Sequence, residues 1–74
     1  LPFLEPQAPR VGVVDLNWGV LNLRAAPSTA APIVAQCYDG AQLTVWNEYQ
    51  NWFVVEWNGL GGYVWRDYVV VQWT

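Results

Sequence analysis

Apolar and polar side chains alternate in short runs along most of this chain, with turn residues separating the runs roughly every ten positions. Residues 20–25 show the pattern most plainly. Leu21 and Leu23 alternate with Val20, Asn22 and Arg24, and the run stops before Pro27. A period of two marks a strand with one buried face. The same signal predicts strands over 11–16, 20–25, 33–38, 42–47, 52–57, 62–65 and 69–73. Within them Leu43 and Val45 are expected to point inward, and Phe53, Val55 and Trp57 to share one face. The punctuation is equally legible. Asn17-Trp18-Gly19 predicts a turn from which 20–25 returns, and Asp39-Gly40 ends the third strand. Glu48 to Asn51 forms a polar hairpin tip, and Asn58-Gly59 is a strong two-residue hairpin signal. Arg66-Asp67-Tyr68 is expected to make one 3₁₀ turn before the last strand closes a barrel. No window has helical periodicity.

Pro27 and Pro32 bound a loop, and each pushes the preceding alanine, Ala26 or Ala31, toward extended geometry. Residues 1–10 hold Pro2, Pro6 and Pro9, which fix φ and remove ladder donors. They read as an extended linker with polyproline character, leaving 11–74 as the folded domain. Several short strands in one small chain predict an all-β fold, a small SH3-like barrel of five to seven antiparallel strands. Closing the sheet would also remove edges prone to aggregation.

Composition narrows the function. The chain has 74 residues, is 54% hydrophobic and carries six tryptophans. That is more indole than one small barrel easily encloses, so some rings are expected at the surface, where an aromatic cluster binds something. The net charge is −3, there is no lysine, and Arg10, Arg24 and Arg66 are the only cations. Nucleic acid and anionic membrane surfaces are therefore poor partners. Neutral, cationic or stacking ligands remain. No apolar run is long enough to span a bilayer, and no signal peptide is visible. The chain starts at Leu1 without methionine, as a processed form or a piece of a longer protein would.

Catalysis finds no footing. Without histidine, Ser-His, Cys-His and His-metal arrangements are absent. The lone Cys37 cannot form an internal disulfide and lies in an apolar strand with no basic neighbour, so it reads as a small core side chain. The six carboxylates are scattered, and a small barrel offers no deep cleft for an acid/base pair. The expectation is a non-enzyme with no cofactor and no metal.

In order and spacing, several short motifs resemble the bacterial SH3 (SH3b) domain. They are Leu21-Asn22-Leu23-Arg24-Ala25-Ala26-Pro27-Ser28, a strand ending at Gly40, Leu43-Thr44-Val45, Trp52-Phe53, Val55-Glu56-Trp57 and Gly62-Tyr63-Val64-Trp65. The resemblance covers about residues 11–70. Ala26 stands where the family usually has glycine, so either alanine sits at positive φ there or the loop bends differently. The family implies binding rather than reaction. Its members often accompany cell-wall hydrolases as targeting modules for peptidoglycan, and the expected compartment is extracytoplasmic.

On an SH3-like frame, alternation turns Trp52 away from Phe53 and Val55, so that it emerges beside the hairpin tip carrying Tyr49. Trp65 and Tyr68 can converge on it, and Trp18 is exposed at the first turn. Trp52, Tyr68, Trp65, Tyr49 and Trp18 are thus the candidate ligand-binding residues, suited to sugar rings or to proline- or glycine-rich peptide. Trp46, Trp57 and Trp73 read as packing. Arg24 is expected to face outward, stacking on an aromatic ring or pairing with Asp39, and Arg66 to pair locally with Asp67. Either arginine could hold a ligand carboxylate bidentately. The Pro6-Gln7-Ala8-Pro9-Arg10 arm could dock on an aromatic groove. Two functions follow from these features. One is a module recognising cell-wall peptide or a protein partner. The other is an assembly domain whose aromatics meet a second copy, as a homodimer, or another domain of a parent protein.

Overall fold

A computed structural model describes residues 9–72. Seven strands follow one another: β1 (Arg10–Val14), β2 (Val20–Arg24), β3 (Ile33–Tyr38), β4 (Gln42–Tyr49), β5 (Trp52–Trp57), β6 (Leu60–Trp65) and β7 (Val69–Val71). A 3₁₀ turn, Arg66–Tyr68, links β6 to β7. All neighbouring strands pair antiparallel, in the order β3-β2-β6-β5-β4-β1-β7. The fold is the all-β, SH3-like one. Among the described residues no helix is long and apolar enough to cross a membrane. The linker expected over 1–10, including its docking arm, lies outside the described residues as far as residue 8, and Arg10 already belongs to β1.

Alternation builds the core. Val14, Leu21, Leu23, Cys37, Leu43, Val45, Phe53, Val55, Val64 and Val69 cluster inside, so all seven strands contribute at least one buried side chain. Trp57 and Val71 pack against the cluster from its margin. Burial in this apolar setting pushes the Cys37 thiol pKa above its ordinary value.

Two backbone features close the sheet tightly. Asn58 and Gly59 both take positive φ, 52° and 78°, as a type I′ hairpin requires, and Trp57 faces Leu60 across them. Gly62 lies where β6 crosses β2. A Cβ there would fall 2.6 Å from the Arg24 carbonyl oxygen and 3.0 Å from the Leu23 side chain, so only glycine permits the approach.

Several expectations are corrected. β2 does not return along β1. β1 pairs with β4 and β7, whereas β2 pairs with β3 and β6. The apolar run after residue 10 stops at Val14, because Asp15 N–H donates to the Tyr68 carbonyl and Leu16 N–H to Asp39 Oδ1, which bends the chain away. The last strand does not close the ladder by hydrogen bonds. Among the described residues β3 and β7 form its two ends. Trp46 is not packing. It is the extra residue of a bulge in β4, between Val45 and Asn47, and stands 47% exposed. Trp73 lies outside the described residues. Ala26 is not at positive φ. Instead Ser28 N–H donates to the Ala26 carbonyl at 2.8 Å, closing a turn centred on Pro27, whose fixed φ suits it.

Candidate functional site

The bulge at Trp46 decides which face Tyr49 joins. Directly opposed residues in an antiparallel ladder share a face. Past the bulge Tyr49 faces Trp52, and Trp52 faces Trp65, so the three rings line one row across β4, β5 and β6. Unbroken alternation from Val45 would have sent Tyr49 to the core side instead.

Trp52 was expected at the surface, and the structure corrects this: it is only 7% exposed. Alternation placed it on the right face, since it stands apart from the core cluster. It is covered there by Trp65, whose ring meets it edge to face with centroids 5.2 Å apart and planes at 82°. The quadrupoles of two indoles favour that geometry. Trp65 is in turn oriented by its Nε1–H, which donates to Asp67 Oδ2 at 3.2 Å. Asp67 therefore serves Trp65 rather than Arg66. Arg66 forms its ion pair with Glu48, and its N–H donates to the Asn51 carbonyl, tying the 3₁₀ turn to the β4–β5 tip.

Beside this pair runs an open groove of about 900 Å³. Trp52 and Trp65 lie in its wall with Tyr68 of the 3₁₀ turn. The β1–β2 connection supplies Asp15, Leu16 and Trp18, and β2 supplies Asn22 and Arg24. The bond from Asp15 N–H to the Tyr68 carbonyl, 2.9 Å, holds the connection against the 3₁₀ turn. Gly19, at φ 84°, then turns the chain into β2 and leaves Trp18 standing 87% exposed at the tip. Four of the five candidate aromatics thus share one groove. Tyr49 is exposed at the end of the ring row and does not line it.

Arg24 also departs from expectation. It does not pair with Asp39, whose Oδ1 accepts from Leu16 N–H. Its Nη1 donates to the Ala31 carbonyl at 2.9 Å, and it lines the groove half-buried. Sequence reasoning missed Asp15, Leu16, Asn22 and Thr29 as groove residues. Asn22 shares the outward side of β2 with Arg24 and could have been found by alternation, whereas the loop residues carried no such signal. A smaller hollow of about 270 Å³ lies beside Trp46 and Glu48. Among the described residues no cluster of His, Cys, Asp or Glu could hold a metal ion. The groove offers flat apolar rings, one cation and one carboxylate, a set fitted to adsorbing a ligand.

Comparison with known proteins agrees with the fold. Residues 19–70 match the family model of the bacterial SH3 domain. Over 52 residues, covering 70% of this chain, the sequence is 42% identical to a Bacillus subtilis (strain 168) protein named as a putative N-acetylmuramoyl-L-alanine amidase, YrvJ. The matched segment spans 10% of that protein's length.

Proposed function

This chain belongs to the bacterial SH3 domain family, and we propose that it is a non-catalytic targeting module of an envelope or secreted protein that recognises cell-wall peptide through the Trp18–Trp52–Trp65–Tyr68 groove. The observation that carries this reading is the convergence of those four rings on one open groove, two of them pinned against each other. Rigid aromatic surface binds extended chains with little loss of side-chain freedom. The relative's name, an amidase of a wall component, supports a wall ligand and an extracytoplasmic setting. The match covers a tenth of that protein, which fits a binding segment working beside a catalytic one.

The test is co-sedimentation with purified bacterial cell walls. The wild-type domain is expected in the pellet, and a Trp18→Ala/Tyr68→Ala double variant in the supernatant. Equal partition of both proteins contradicts the groove. A domain that ignores walls but dimerises with concentration supports the assembly role instead.

A further inference from the structure

Arg24 is the only cation lining the groove. Its guanidinium is held in place by the Ala31 carbonyl. Among the described residues no carboxylate forms an ion pair with it: the one such pair is Arg66–Glu48, while Asp39 and Asp67 accept from Leu16 and Trp65. A guanidinium has five N–H donors in a rigid fork, and a carboxylate fills two of them at once. Among the described residues Arg24 is thus a positioned, half-buried charge without a counter-ion, in a chain whose net charge is −3.

Its place in the ladder adds a distance. Arg24 faces Tyr63 of β6, two residues before Trp65. At about 3.3 Å per strand residue the offset from the indole pair is roughly 7 Å, the span of two peptide units. We propose that Arg24 binds the terminal carboxylate of a peptide whose preceding residues lie against Trp65, where that ring covers Trp52. The inference rests on the groove being the ligand site. A single cation matches a single negative charge. Asp15 on the same groove disfavours phosphates and other polyanions, and neutral sugars offer Arg24 hydroxyl acceptors but no charge to match its own. The ligand class is therefore a peptide with a free carboxyl end, as opposed to one whose end is joined in an amide.

The test compares Ala-Ala-Ala with its C-terminal carboxamide by chemical-shift titration of the isotope-labelled domain, with solubilised wall peptide as a third arm. The free acid is expected to bind the wild type about tenfold more tightly than the amide, the gain of a charge-assisted bidentate contact. In Arg24→Gln that ratio falls to within about twofold, and Arg24→Lys lies between, because an ammonium keeps the charge but not the fork. Equal wild-type affinities for acid and amide, or shifts with wall peptide alone, overturn the Arg24 assignment while the groove stands. No shift with any of the three removes the groove and the assignment together. The wild-type ratio decides the matter even where a variant fails to fold.

Discussion

The indole of Trp65 closes over that of Trp52 edge to face, 5.2 Å between centroids, so a ring that alternation places outside the core is nonetheless shielded from water. Trp52 thus supports the groove wall, and Trp18 at 87% exposure serves only the groove. The two should separate in experiment. Trp52→Ala is expected to cost about 3–5 kcal/mol of stability, as for other buried aromatics. Trp18→Ala should stay within about 0.5 kcal/mol while weakening wall binding. Urea melts of both variants check this, and equal losses would contradict the division of roles.

Gly62 permits the close crossing of β6 over β2. In Gly62→Ala the new methyl meets the backbone carbonyl of Arg24, which cannot rotate away. A loss of about 1–3 kcal/mol is expected by thermal or chemical unfolding. Because Arg24 shifts with its backbone, wall binding should fall as well. A neutral substitution would show that the crossing is looser than described.

Burial of Cys37 raises its pKa, so the folded state favours the protonated thiol. The effect is absent while the thiol is protonated in both folded and unfolded chains. Stability should decline as pH rises through the unfolded thiol's value toward the folded one. Alkylation at alkaline pH should be slow in native protein and fast in urea. A Cys37→Ala variant, smaller but without an ionisable group, should lose the alkaline decline. Rapid native labelling would contradict the buried placement.

Among the described residues β3 is the longer free end of the ladder, six residues without a charge, with Ile33 and Val34 exposed. Uncharged edges template pairing with other chains. Val34→Lys should slow aggregation at high concentration without changing the unfolding free energy by more than about 0.5 kcal/mol. Light scattering and a melt together check it. Unchanged aggregation would clear the β3 edge.

The elements that local pattern specifies were legible in the sequence. β3, β5 and the 3₁₀ turn run over the residues that alternation and turn chemistry indicate, and Asn58-Gly59 turns as its composition demands. What escaped were relations between distant segments. Nothing local says that β1 leaves β2 to pair with β4 and β7, because that choice depends on loop closure across the whole chain. The bulge at Trp46 is similar. It shifts register by one residue, reversing the face of Tyr49 and exposing a tryptophan that read as packing. Trp52 was given its face correctly and its exposure wrongly, since the covering ring belongs to another strand. For Arg24 the sequence offered carboxylate partners, and the structure supplied a backbone carbonyl from the neighbouring loop. The four groove aromatics could be named in advance, Trp52 from alternation, Trp18 from its turn, and Trp65 and Tyr68 from the SH3-like frame that brings them beside Trp52. Their alignment with Asp15 and Arg24 needed the fold.

The indole N–H signals give the most direct measurement of the central claim, since the tryptophans report from different faces of one small domain. In a titration with soluble cell-wall peptide, the Trp18 and Trp65 signals should move while those of Trp46 and Trp57, away from the groove, stay fixed. Movement at Trp46 or Trp57 with Trp18 and Trp65 unchanged would place binding elsewhere and contradict the account.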